Sequence, residues 1–111
     1  MPKSGVLKSP NYPSPYPSSL DNTDTIQVAE GKKIRFKWTD MYTEPKYDYV
    51  QAVDGDGTEL TSELSGNYYG NGNAENYEGR FVESNSNIVH IEFHTDGTEQ
   101  RTGWRLEWTE Q

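Results

Sequence analysis

Residues 88–94 read Ile88-Val89-His90-Ile91-Glu92-Phe93-His94. Val89, Ile91 and Phe93 alternate with His90, Glu92 and His94. A period of two belongs to a strand with one buried face. The pattern returns downstream in Gly103–Thr109, where Trp104, Leu106 and Trp108 alternate with Arg105 and Glu107. It returns upstream in Lys33–Thr39, where Ile34, Phe36 and Trp38 alternate with Arg35, Lys37 and Thr39. Parity assigns Trp38, Trp104 and Trp108 to a core. Shorter strands are expected at Val6–Ser9, Thr25–Val28, Asp48–Val53, Thr58–Leu64 and Glu78–Glu83. Turn residues separate them: Glu30-Gly31, Asp54-Gly55-Asp56-Gly57, the Gly/Asn loop 66–73 and Asn85-Ser86-Asn87. No helical stripe of useful length and no internal repeat occurs. Many short strands with turns between them predict an all-β fold, an antiparallel β-sandwich that is apolar inside and polar outside.

The chain has 111 residues, which predicts a single domain with one modest core. Its mean hydropathy of -1.03 borders on that of disordered chains. Three Trp, eight Tyr and three Phe argue the other way, because each aromatic buries a large area. The formal charge is -8. An acidic surface repels phosphate backbones and anionic bilayers, so nucleic acid and membrane insertion are poor expectations. Cations and basic protein patches are the natural partners. The absence of cysteine excludes disulfides and thiolate-bound zinc. No apolar run reaches the length of a signal-peptide core or a membrane span.

The first 24 residues are rich in proline, with Pro2, Pro10, Pro13, Pro15 and Pro17. Fixed φ angles make such a segment irregular but stiff. Tyr12 and Tyr16 are placed to pin it against a sheet. Between the expected strands 33–39 and 48–53 lies Tyr42-Thr43-Glu44-Pro45-Lys46-Tyr47-Asp48. Glu44 and Asp48 flank a proline-interrupted turn at the rim of the sheet. Two acids held together there repel each other. A bound cation accounts for that cost, against the alternative of solvated loop acids in an acid-rich chain.

Several ordered pieces resemble the CUB domain family. Gly5-Val6-Leu7-Lys8-Ser9-Pro10-Asn11-Tyr12-Pro13 with Tyr16-Pro17 is similar to its opening signature. Ile34, Phe36 and Trp38 resemble its alternating strand. Glu44 with Tyr47-Asp48-Tyr49-Val50 resembles its acidic motif. Asp54-Gly55, Ser84-Asn85-Ser86-Asn87, Phe93-His94-Thr95-Asp96 and Gly103-Trp104 follow in order. The resemblance runs from Gly5 to Trp108 and implies a jelly-roll-like sandwich over residues 1–111, with its core at about 5–109.

The resemblance also implies an extracellular or cell-surface module of a larger protein that is not an enzyme. It implies that Glu44, Asp48 and Asp96 converge on one Ca2+, a cation that takes hard oxygen ligands. Thr98 and the backbone at Gly97 complete the shell in this reading, and Tyr16 orients an acid by hydrogen bonding. The implied partner is a protein that presents an exposed Lys or Arg to the carboxylates. The family's usual cysteines are absent: Asn22 and Ser65 stand near two of those positions, and Asp24 stands where an aromatic is common.

Other sites are weaker. His90, Glu92 and His94 share a strand face but spread too far along it to converge on zinc. Tyr68 and Tyr69 in the Gly/Asn loop offer sugar contacts, which makes a glycan-binding module the alternative function. Asp54-Gly55-Asp56-Gly57 lacks the distal glutamate of a calcium loop and reads as a hairpin turn. An acidic-pair hydrolase is the remote third reading, since neither histidine accompanies a nucleophile elbow and no cleft for a sugar chain is expected.

Overall fold

The structure is a computed structural model, and it describes residues 2–66, 73–77 and 79–111. Its strands are β1 (Ser4–Lys8), β2 (Asp21–Gln27), β3 (Ile34–Tyr42), β4 (Tyr49–Asp54), β5 (Val82–Glu83), β6 (Ile88–His94) and β7 (Gly103–Glu110). They form two antiparallel sheets, β1-β7-β3-β5 and β2-β6-β4. This is the sandwich that the alternation predicts, because each sheet has one apolar face to cover and only the other sheet can cover it.

The three decisive segments bury the residues that parity assigns. Ile34, Phe36 and Trp38 of β3, Val89, Ile91 and Phe93 of β6, and Trp104 and Leu106 of β7 are almost wholly buried. Phe93 meets both Trp104 and Tyr16 edge-on, with ring centroids 6.0 and 5.0 Å apart. Truncating an aromatic in such a core costs about 3–5 kcal/mol, so a few rings stabilise a chain whose mean hydropathy is low.

Some boundaries differ from expectation. β2 begins at Asp21 rather than near Thr25. Its polar residues pair in register with apolar β6, Asn22 with Phe93 and Asp24 with Ile91. On this edge strand Asn22 and Asp24 occupy the inward file, half-buried, and Asn22 Nδ2 donates to Asp24 Oδ2 at 3.3 Å. The expected strand at 58–64 does not form. Two isolated bridges, Val53 to Glu59 and Val50 to Leu64, mark its course beside β4. Thr61 interrupts it: its hydroxyl accepts from Ala52 N at 3.1 Å and its carbonyl from Gln51 Nε2 at 2.9 Å. The expected strand at 78–83 shrinks to Val82–Glu83, and a short 3-10 turn precedes it at Ala74–Tyr77.

The turn after β4 is built on Asp54. Its Oδ1 accepts from the backbone N–H groups of Asn85 at 2.7 Å and Ser86 at 3.1 Å, and its Oδ2 accepts from Asp56 N at 2.9 Å. Gly55 is required there, since a Cβ would lie 2.9 Å from that of Ile88. At the opposite end, Gly103 has a φ of 92° and any Cβ would overlap Ser9 Oγ. That hydroxyl accepts from Trp104 N at 3.0 Å, locking the N-terminal segment onto β7.

Candidate metal centre

Three segments meet at the Gly103 end of the sandwich: residues 9–20, the β3–β4 loop and the β6–β7 loop. Tyr16 joins them. Its ring is 1% exposed, and its backbone N–H donates to Arg101 O at 3.0 Å. Its hydroxyl donates to Asp48 Oδ2 at 2.5 Å and accepts from Glu44 N at 3.2 Å. The proline-rich segment is therefore pinned at a tyrosine, as its composition suggested. Tyr12 adds a second pin, donating to Asp40 Oδ2 at 2.6 Å.

The β3–β4 loop curls back on itself. Asp48 N donates to Glu44 O at 3.1 Å, and Lys46 between them adopts a φ of 74°. Thr43 Oγ1 donates to Asp48 O at 3.1 Å and accepts from Gly66 N at 3.1 Å. This tight return brings two acids four residues apart onto one side. Asp96 arrives from the end of β6, and its backbone N–H donates to Asp48 Oδ1 at 2.8 Å. Thr98 N donates to Asp96 Oδ1 at 3.0 Å and so aims that side chain. Gly97 and Thr98 themselves are exposed.

One carboxylate oxygen from each of Glu44, Asp48 and Asp96 can be chosen so that all three lie within 4.8 Å of one another. Asp48 is fully buried and Glu44 is 7% exposed. No positive side chain balances them: among the described residues the ion pairs are Arg35–Glu83, His94–Asp21, Arg101–Glu99 and Arg105–Glu107. Desolvation, the adjoining Glu99 carboxyl and the charges of Asp96 and Asp48 push Glu44 up to about 7. Burial raises Asp48 as well, outweighing the hydrogen bonds from Tyr16 and Asp96 that favour its charged form. Glu44 Oε1 is buried without a hydrogen-bond partner. An all-oxygen set with excess negative charge and an orphaned buried oxygen fits a hard divalent cation.

Glu99 lies outside the triad but adjoins Glu44, a position not legible in the sequence. It lies three residues past Asp96 with a φ of 55°, and its carboxylate pairs with Arg101 at 3.2 Å. Nothing local in the sequence announces that left-handed turn. His90 and His94 lie on the outer face of β6, each with Nδ1 engaged, by Thr25 Oγ1 at 3.0 Å and by Asp21 Oδ1 at 2.7 Å. They join no metal-holding group among the described residues. Tyr68 and Tyr69 lie outside the described residues.

A model of the CUB domain matches residues 1–108. Among curated relatives, the complement C1s subcomponent of Bos taurus is 35% identical over 113 residues, which covers 94% of this chain and 15% of that protein. Cubilin of Homo sapiens is 31% identical over 112 residues, which covers 97% of this chain and 3% of that protein. The chain thus spans a small part of each relative's length. Among solved structures, the CUB1-EGF-CUB2 portion of human MASP-1/3 aligns with a TM-score of 0.83 at 25% identity, covering 99% of this chain and 42% of that one. A MASP-1 CUB2 domain described as bound to Ca2+ aligns with a TM-score of 0.80 at 23% identity, covering 98% of this chain and 94% of that one. With the sandwich, the loop-end architecture and the family model in agreement, the chain belongs to the CUB domain family.

Proposed function

We propose that this chain is a non-catalytic, calcium-dependent protein-binding or adhesion module, in which Glu44, Asp48 and Asp96 hold Ca2+ and present a carboxylate edge to a basic side chain of a partner. The observation that carries this reading is the triad of carboxylates within 4.8 Å, with Glu44 Oε1 buried and unpartnered. The Ca2+-bound fold neighbour is compatible with it, though at 23% identity that neighbour speaks to the fold.

When bound, the cation supplies positive charge that offsets the mutual repulsion of the three acids. The chain's own residues do the rest. Tyr16 fixes Asp48 and the backbone of Glu44 with one hydroxyl. Thr98 aims Asp96 through its backbone, and its side chain and the Gly97 carbonyl are the proposed further ligands. Carboxylate oxygens left at the rim accept a Lys or Arg through a charge-assisted hydrogen bond, strengthened where water is excluded. Tyr42 and Tyr47, 39% and 61% exposed, border the same loop and offer apolar surface to the stem of that side chain. Residues 1–111 act in this reading as one module of a larger extracellular or cell-surface protein.

The test is calorimetric titration with Ca2+, followed by binding to an immobilised lysine-bearing peptide with calcium or with chelator. Binding is expected at about 10⁻⁴–10⁻³ M calcium. Absence of heat at millimolar calcium, or calcium binding that survives Asp96→Ala, sinks the metal assignment. Peptide capture unaffected by chelator sinks the carboxylate-edge mechanism alone.

A further inference from the structure

The outer face of the four-stranded sheet has the opposite character to the loop end. Lys32-Lys33-Ile34-Arg35-Phe36-Lys37 places four of the chain's ten basic residues in six positions. Ile34 and Phe36 are buried, so Arg35 and Lys37 face outward along β3. Lys33 extends the same ladder through two backbone hydrogen bonds with Gln111 and is exposed. Cations at alternate positions recur about every 6.7 Å along a strand.

Across the sheet, Lys37 stands in register with Glu107 and then Val6, and Arg105 with Lys8. Glu107 is already engaged by Arg105 at 2.7 Å. Among the described residues Arg35 pairs only with Glu83, at a loose 3.9 Å, and Arg35 Nε is buried without a hydrogen-bond partner.

Phe81 organises this face. It is 46% exposed, with the Arg35 guanidinium 3.9 Å and the Lys37 ammonium 4.8 Å from its ring centroid. Two like charges gathered on one ring repel each other, and the ring's quadrupole offsets only part of that. An anion between them offsets more.

We propose that this face, centred on Lys33, Arg35, Lys37 and Phe81, is a docking strip for a sulfated polysaccharide. A run of basic residues is an electrostatic footprint for polyanions. Nucleic acid fits less well: single-strand binding needs open aromatic faces for base stacking, and the Phe81 ring carries two cations. A bilayer fits less well too, since Val6 and Phe81 are the only large apolar side chains exposed here among the described residues. Sulfate groups on an extended chain require only spaced cations. The carboxylate triad lies at the loop end, so this site is independent of the calcium reading.

The test measures binding of a heparin-type decasaccharide at low salt in chelator, beside its desulfated form, single-stranded DNA and phosphatidylserine vesicles. The wild type is expected to bind the sulfated chain and not the desulfated one. The triple variant Lys33→Gln, Arg35→Gln, Lys37→Gln is expected to lose about tenfold or more, with the salt slope reduced by roughly one per cation removed. Lys32→Gln with Lys33→Gln lies ahead of β3 and serves if the triple variant melts early; it should weaken binding by a few-fold. Phe81→Leu keeps every charge and should weaken binding by a smaller factor. Failure of the wild type to bind, equal binding of the desulfated chain, or full binding by natively folded variants overturns the proposal. So does tighter binding to DNA or vesicles, or binding that needs calcium and disappears with Asp96→Ala.

Discussion

Asp48 and Asp54 bracket the same strand. One directly precedes β4 and the other ends it, and both are buried. Burial pushes both carboxyls up, yet the outcomes diverge. At Asp54 the backbone N–H groups of Asp56, Asn85 and Ser86, with the Ser86 hydroxyl, overcome burial and leave the carboxyl below its ordinary value. At Asp48 one tyrosine and one N–H group are outweighed by burial and by the neighbouring Asp96 charge. The Asp54 end is electrostatically complete from within the chain. The Asp48 end is incomplete, and it is there that an external cation has something to supply.

The largest expected effect breaks the complete end. Asp54→Ala strands three backbone donors in the two turns it joins and should cost roughly 3 kcal/mol, measured by urea denaturation, to the same extent with and without calcium. Next, Tyr16→Phe removes the hydroxyl shared by Asp48 and Glu44 N. It should weaken calcium binding by about 10-fold or more, read by calorimetry, while the buried ring keeps the fold. Then calcium itself: at about 10 mM it should raise the melting temperature by roughly 5 °C. Asp48→Asn and Asp96→Ala should erase that rise, and Asp54→Asn should leave it in place. A rise that persists in Asp96→Ala would mean the ends do not differ in this way.

The smallest effect separates the ends by pH. Glu44 is raised to about 7 in the fold, against about 4.3 unfolded. Its contribution is therefore full below about pH 4.3 and is lost as pH rises through about 7. Asp54 is lowered, so its contribution is present above about pH 3.9 and is lost as pH falls through its folded value. Calcium-free protein should weaken at both extremes. Calcium should cancel the alkaline loss and release protons near neutrality on binding, because the ligands must ionise. Glu44→Gln should also remove the alkaline loss. A calcium-free stability curve that is flat from pH 5 to about 8 would count against the strained triad.

Alternation in 34–38, 88–94 and 104–108 was legible because both faces of those strands have a single fate, core or solvent. The segment at 58–64 was not, because its backbone hydrogen bonds to β4 are interrupted midway, where the Thr61 hydroxyl takes the Ala52 N–H in place of a carbonyl. Only the second half of β2 shows in the alternation, because Asn22 and Asp24 break the apolar pattern on the inward file. At the site, Glu44, Asp48 and Asp96 carried a family motif and are brought together. Glu99 carried none, and its place depends on a left-handed backbone that its residue type does not favour. Nothing in the sequence joins the cations of β3 to Phe81, which gathers them, because Phe81 is 44 positions from Lys37 in the chain.

Asn22 and Asp24, facing inward on edge strand β2, bear on how copies of this module can crowd together. An open strand edge invites pairing with a neighbouring chain, and a charge turned toward the interior opposes it. A strand added beside β2 would shut Asp24 away from the water it now reaches. Copies of this chain packed on one surface would then meet through their loops and faces, and not fuse into a continuous sheet.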